Sequence, residues 1–176
     1  MMHVAEVVAQ GYRYPHETAA EALDSAIEAG AHGAVERHMR KFLAEVNKLS
    51  LGEWEELHTS TLDLSPQFVP YVGHVAWGEN YRRGEFMADL KRSMRDAGVD
   101  LGGELPDHIE PILRYLAASS EPMSDLVEAL PGAVATMCET LATASKKNPY
   151  RHLLAATEVL TADLAPVMIS GRGAKQ

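Results

Sequence analysis

Helical periodicity is clearest in the stretch Ile109-Glu110-Pro111-Ile112-Leu113-Arg114-Tyr115-Leu116, which decides the fold class. Its aliphatic residues stand at positions i, i+3, i+4 and i+7, the spacing that places side chains on one face of an α-helix. The same kind of spacing recurs in residues 35–46, 86–94, 126–141 and 153–164. Pro131 and Gly132 interrupt the longest of these segments and predict a kink or a break there. We therefore predict one all-α domain of about seven to nine helices over residues 1–169, followed by a disordered polar tail at residues 170–176.

The segments between the periodic stretches carry turn and capping signals. Residues 67–77 have a strand-like composition, but Pro70 and Gly73 disfavour a strand, so we expect a short helix or an irregular connection. Asp107 stands just before the stretch that opens at Ile109, and Glu110 follows it three residues later. This spacing is typical of a capping box and predicts Asp107 as the N-cap of that helix.

The chain has 176 residues and a formal net charge of −9, with 25 acidic residues against 16 Lys and Arg. This balance argues against general binding to nucleic acids or anionic membranes and permits a basic partner. No apolar run reaches the about 18–20 residues of a membrane span, and we expect no secretory signal, no direct membrane insertion and a cytoplasmic location. The single cysteine, Cys138, agrees with a reducing compartment. In residues 98–128 only Arg114 is basic, against the acidic residues Asp100, Glu104, Asp107, Glu110, Glu121, Asp125 and Glu128.

The motifs of common catalytic centres are missing from the sequence. There is no His-Glu-x-x-His, no Cys-x-x-Cys, no Gly-x-Ser-x-Gly and no glycine-rich phosphate loop. Cys138 lies among helical core positions beside Glu139, which disfavours a reactive thiolate, so we expect it to be structural. Glu55 and His58 form one Glu-x-x-His motif, whereas di-iron bundles need two. We predict that the chain is not an enzyme, and we keep as an alternative a helical metal-binding enzyme that uses Glu55, His58, Glu104 and His108.

Five stretches of the sequence together match a known pattern. The first two are Tyr71-Val72-Gly73-His74 with the turn Gly78-Glu79-Asn80-Tyr81-Arg82-Arg83-Gly84, and Ala97-Gly98 with Glu104-Leu105-Pro106-Asp107-His108. The others are Tyr12-Arg13-Tyr14-Pro15, Thr61-Leu62-Asp63 and Asn148-Pro149-Tyr150 with Leu153-Leu154. Over residues 12–155 the chain thus resembles the NarJ-type assembly chaperones of molybdenum enzymes. It departs from them at Glu79-Asn80, where Asp is common, and at Leu62, where an aromatic residue is common.

The resemblance implies an all-helical cytoplasmic chaperone, related to the TorD and DmsD redox-enzyme maturation proteins. Such proteins bind the N-terminal peptide of a molybdoenzyme catalytic subunit, often a twin-arginine signal or its remnant. They hold the apoenzyme for insertion of the molybdenum cofactor and bind no cofactor stably themselves. The implied client is a respiratory nitrate reductase or a relative in the dimethyl-sulfoxide-reductase family. The resemblance implies that Pro106, Asp107 and His108 bind the peptide. We predict Tyr71, His74, Arg83 and Glu104 as further peptide-binding residues.

A leader with paired arginines needs carboxylates for its guanidinium groups and an apolar groove for its other residues. The acidic residues of the segment 98–128 suit the first need, and the faces Met87/Met94 and Ile109/Ile112/Leu116 suit the second. Two roles stay open for Asp107, cap of its own helix or anchor for a ligand arginine. His108 is either a satisfied histidine at a helix start or a source of pH-sensitive binding. We expect a monomer or weak homodimer that binds no nucleic acid, and we keep open a structural subunit retained in the mature reductase.

Overall fold

Nine α-helices make up the part of the chain that the computed structural model describes, residues 2–64 and 66–162. They are α1 (Met2–Tyr12), α2 (Ala19–Gly30), α3 (Gly33–Val46), α4 (Leu51–His58), α5 (Val72–Trp77), α6 (Tyr81–Asp96), α7 (Ile109–Ala118), α8 (Ser124–Ala144) and α9 (Tyr150–Ala162). A π-helical turn, Thr59–Asp63, extends α4. The prediction of an all-α domain of seven to nine helices is confirmed. The predicted tail at 170–176 and residues 163–169 of the predicted domain lie outside the described residues.

The core forms around α1 and α9. Helix α1 packs against α7, and α9 packs against both α3 and α8. The hydroxyl groups of Tyr12 on α1 and Thr157 on α9 form a buried hydrogen bond of 2.8 Å that joins the two helices. The predicted apolar faces of α3, α7 and α8 all point into this core. This agrees with the helical spacing of their apolar residues, which places them on one face of each helix. None of the helices in the described residues is both long and apolar enough to cross a bilayer.

Helix α8 runs without a break through Pro131. The break that Pro131 and Gly132 predict is therefore not found. Proline removes one backbone donor, but the buried face of this helix compensates for that loss, because its residues pack into the core on both sides of Pro131. That face consists of Leu126, Leu130, Val134, Met137 and Leu141.

The starts of α5 and α7 are held side by side. The backbone N–H of Val72 donates to the carbonyl of Asp107 at 2.8 Å, and that of Ile109 donates to the carbonyl of Pro70 at 2.9 Å. Tyr71 and His108 thereby form an isolated antiparallel bridge. For residues 67–77 we predicted a short helix or an irregular connection, and the structure contains both. An irregular segment leads into the six-residue helix α5.

The predicted N-cap of α7 is wrong by one residue. His108 caps this helix, with its Nδ1 accepting the backbone N–H of Glu110 at 3.2 Å. Asp107 cannot do so because its carboxylate turns inward and binds Arg83. The predicted capping box does not form either, since the side chain of Glu110 binds Arg13.

Candidate functional site

Three separate segments of the chain meet at the bridge between Tyr71 and His108. Tyr71 and His74 come from the start of α5, Arg83 comes from the first turn of α6, and residues 104–108 form the loop before α7. The rings of Tyr71 and His108 meet edge to face, with their centroids 5.2 Å apart. The structure thus brings the seven residues of the predicted peptide-binding set into one region, although they are spread over 38 positions of sequence (71–108).

A chain of charged contacts links His74 to Asp107 in this region. His74 Nδ1 lies 2.8 Å from Oε1 of Glu79, and the same oxygen accepts Nη1 of Arg83 at 2.5 Å. Arg83 also donates its Nε–H to Oδ2 of Asp107 at 2.9 Å. Hydrogen bonding from His74 and the charge of Arg83 lower the pKa of Glu79. Burial by itself would lower the pKa of Arg83, but Asp107 and Glu79 outweigh it and raise that pKa above its usual value.

The Arg83–Asp107 pair is a buried structural contact. The Asp107 side chain is 0 % exposed and that of Arg83 is 9 % exposed. Two charges held away from water stabilise each other only when they are closely paired, as they are here. Asp107 is therefore neither the cap of α7 nor a carboxylate that faces a partner, since its charge is already bound by the chain's own arginine.

Gly73 makes this ion pair possible, and the prediction of site residues missed it. A Cβ atom at position 73 would lie 2.8 Å from Oδ2 of Asp107 and 3.1 Å from Cδ1 of Phe86. Any side chain here would push the Asp107 carboxylate away from Arg83. A glycine inside the short helix α5 was the available signal, because glycine in a helix often marks a close approach of another group.

The loop between α6 and α7 places Glu104 at the surface beside Tyr71. Gly102 and Gly103 both have positive φ, 58° and 90°, a run of left-handed backbone that glycine adopts without strain. This turn lets Glu104 Oε1 accept the backbone N–H of Leu105 at 2.8 Å and the hydroxyl of Tyr71 at 3.4 Å. Burial and the neighbouring carboxylate of Glu104 raise the pKa of Tyr71.

His108 is buried in the same loop, at 6 % exposure. Because its Nδ1 accepts a backbone N–H, the neutral ring carries its hydrogen on Nε2. Burial lowers the pKa of His108, and the carboxylates of Glu104, Glu110, Asp63 and Asp107 oppose that shift only in part.

Two surface grooves adjoin at this loop, since Asp100, Gly102 and Glu104 line both of them. The basic groove has a volume of about 950 Å³ and lies against α6. Its basic residues are Lys91, Arg92 and Arg95. Its apolar lining includes Val99, Leu101, Leu105 and Pro106. The acidic groove, about 530 Å³, lies towards the end of α1; its lining includes Tyr14, His58, Asp63, Glu104, His108 and Glu110. Pro106 thus belongs to the first groove, His108 to the second and Glu104 to both.

The apolar faces that we predicted for a peptide groove are mostly core. Met94, Ile109 and Ile112 are fully buried and Leu116 is 6 % exposed, whereas Met87 is only partly buried. For the α7 face the prediction failed because helix α7 packs that face against α1, which leaves no room for a ligand. The apolar surface next to the site comes instead from the loop, where Leu105 is 45 % exposed.

The metal-binding alternative finds part of its residue set in one place. His58, Glu104 and His108 line the acidic groove, but Glu55 is not among its lining residues. Within residues 2–64 and 66–162, no three or more His, Cys, Asp and Glu side chains form a group placed to hold a metal ion. The predicted structural role of Cys138 agrees with its half-buried position on α8, where burial raises the pKa of its thiol to about 12.

No family model matches the chain, and no curated protein sequence matches it. The two grooves combine carboxylates and apolar loop residues with the basic side chains Lys91, Arg92 and Arg95 on the α6 side. The carboxylates and the apolar residues suit the binding of a basic, partly apolar segment.

Proposed function

We propose that this chain is a cytoplasmic assembly chaperone that binds the N-terminal leader of a molybdoenzyme catalytic subunit. The client is a respiratory nitrate reductase or a relative in the dimethyl-sulfoxide-reductase family. The chaperone holds the apoenzyme while the molybdenum cofactor is inserted, and it binds no cofactor stably itself. It acts as a monomer or weak homodimer and binds no nucleic acid.

One observation carries this proposal. The seven residues of the predicted peptide-binding set lie around the bridge between Tyr71 and His108, and three of them, Glu104, Pro106 and His108, line the two grooves that adjoin there. Their convergence supports a common role in binding.

The chemistry of the grooves supports a peptide as the ligand. Carboxylates attract the arginines of a leader, while Leu101 and Leu105 offer apolar contact to the residues that follow. Charge attraction of this kind speeds association and selects basic partners, and it weakens as salt rises.

Titration calorimetry with synthetic leader peptides of candidate catalytic subunits tests the proposal. We expect binding at about 50 mM salt that weakens at about 500 mM salt. Leu105→Ser should weaken it about fivefold, because a desolvated apolar contact is lost. Leu51→Ser is the matched control, since Leu51 is also exposed but lies on α4 outside both grooves. If none of the leaders binds at low salt, or if both variants weaken binding equally, the proposed function is wrong.

A second experiment separates the chaperone from its two rivals. A tagged chain is recovered from cells starved of molybdate, in which apoenzyme accumulates. A chaperone should carry the apoenzyme from these cells and lose it when molybdate is restored. A structural subunit would stay with the active reductase in both conditions. Elemental analysis of the purified, folded chain tests the metal-binding enzyme, which requires a stoichiometric metal.

A further inference from the structure

His58 has one ring nitrogen in use and one without a partner. The side chain lies in the acidic groove but is only 7 % exposed. Its Nε2 lies 3.0 Å from the backbone carbonyl oxygen of Tyr12. A carbonyl only accepts hydrogen bonds, so Nε2 carries the hydrogen and Nδ1 of the neutral ring is an acceptor. Within the described residues, no group makes a hydrogen bond to this buried Nδ1.

The carboxylate of Asp63 lies close to this nitrogen, with Oδ2 at 3.7 Å. That distance is too long for a hydrogen bond, and in the neutral ring both atoms are acceptors. A buried acceptor without a donor costs free energy, so the arrangement favours a donor that reaches both atoms. Asp63 is about half exposed, so a donor from solvent reaches its carboxylate directly, whereas the buried Nδ1 comes within reach when a neighbouring side chain moves.

The other charged residues of the acidic groove favour a cation as its ligand. Among the described residues, Asp63, Asp100 and Glu104 form no ion pair with a lysine or arginine. The neighbouring Glu110, by contrast, is within 3.1 Å of Arg13 and within 2.8 Å of Arg114. Arg13 and Arg114 also line this groove, so its four carboxylates exceed its two arginines by two negative charges.

An aromatic wall completes the groove. The ring of Tyr14 meets that of His58 edge to face, with centroids 5.2 Å apart, and is itself 54 % exposed. Aromatic faces attract planar guanidinium groups by cation–π contact and stacking. A lysine ammonium is a compact charge without the planar fork that reaches two acceptors at once.

We propose that the arginine pocket, formed by Tyr14, His58, Asp63 and Glu104, binds the guanidinium group of an arginine side chain from a partner peptide. The guanidinium donates N–H groups to His58 Nδ1 and to the Asp63 carboxylate, and Glu104 supplies further negative charge. The inference rests on the proposed function, which supplies an arginine-containing leader as the partner. In this proposal Asp63 binds the arginine of the peptide. Asp107 does not, because its carboxylate is bound to Arg83.

The first test uses a small probe that needs no knowledge of the client. N-acetyl-L-argininamide is titrated into the ¹⁵N-labelled protein at about pH 7.5, and the His58 ring signals are followed by NMR. We expect a saturable shift of Nδ1, and no such shift with N-acetyl-L-citrullinamide, which has the same shape but no charge. Asp63→Asn should weaken the binding about fivefold, because the charged acceptor is lost. Asp125→Asn should leave it unchanged, since this exposed carboxylate on α8 lies outside the groove.

Three results would overturn the arginine pocket. They are equal binding of the citrulline probe, unchanged binding by Asp63→Asn, and a His58 that already carries a proton on Nδ1 in the free protein at that pH. In the last case no free acceptor remains for the guanidinium.

A second titration distinguishes failure of the pocket from failure of the proposed function. A leader peptide and its arginine-to-citrulline version are compared on the same protein. Equal binding of the two peptides overturns the pocket but leaves the leader-binding function intact. If instead the small arginine probe binds and no leader does, the pocket is supported and the proposed function is wrong.

Discussion

Arg83 on α6 donates its Nε–H to the fully buried Oδ2 of Asp107 across 2.9 Å, and this contact connects two segments that lie 24 residues apart. It fixes the loop before α7 against the first turn of α6. The loop then presents Glu104, Leu105 and Pro106 to the grooves. Asp107 therefore positions the loop that lines the candidate site and does not face the grooves itself.

Replacing Asp107 by Asn should destabilise the fold. The change removes the negative charge and leaves the buried guanidinium of Arg83 without its main partner, which costs about 3 kcal/mol of unfolding free energy. Urea unfolding followed by circular dichroism measures this loss. Asp89→Asn is the control, because Asp89 pairs with Arg92 at the surface and its loss should cost no more than about 0.5 kcal/mol. Similar values for the two variants would contradict the buried pair.

Gly73→Ala should destabilise the protein by about 1–3 kcal/mol, since the added methyl group would collide with the Asp107 carboxylate and overpack the site. Gly84→Ala on α6 is the matched control, because a Cβ there meets no atom within 4 Å. Alanine in a helix with free space should raise stability by about 0.5–1 kcal/mol. Thermal and urea unfolding of both variants measure the difference, and two changes of the same sign would refute the close approach at Gly73.

Stability should fall as the pH drops from about 7.5 to about 5.5, and His108 should contribute to that fall. Burial lowers the pKa of His108 below the unfolded value of 6.5, so the unfolded chain binds a proton first. The contribution of neutral His108 to stability is therefore complete above its pKa in the unfolded chain. It is lost as the pH falls through its lower pKa in the folded protein. His108→Asn keeps an N-cap acceptor but cannot titrate, so its unfolding free energy should depend less steeply on pH. An unchanged slope would show that His108 is not involved.

Burial of His38 and His152 also lowers their pKa values, so the slope should shrink with His108→Asn rather than vanish. An NMR titration of the histidine rings resolves the individual contributions. The His108 signals should change at a pH below 6.5 in the folded protein.

Cys138 should react slowly with alkylating reagents. Its pKa is raised from 9.0 to about 12, so at about pH 8 the folded protein holds about a thousandfold less thiolate than an ordinary cysteine. Mass spectrometry after iodoacetamide treatment should show alkylation slower by about a hundredfold or more than in the guanidinium-unfolded chain. Equal rates in the two states would contradict a half-buried, unreactive thiol.

The helices were predictable because their evidence is local. A helical period puts the apolar residues of α3, α7 and α8 on one face whatever they pack against. The same reasoning misplaced the apolar groove, because the period shows that a face is apolar but not whether another helix covers it. It also could not exclude a break at Pro131, since the packing that keeps α8 continuous involves residues distant in sequence.

The sequence by itself determined an all-α chain with most of its helices, the charge of its surface and the segments that resemble a chaperone pattern. All of these depend on residues within a few positions of one another. Only the tertiary structure decided that Asp107 binds Arg83, that Gly73 leaves room for this pair, and that His58 and Asp63 open into one acidic groove. Whether a carboxylate is buried or free depends on which distant residue it meets, and that is set by how the helices pack.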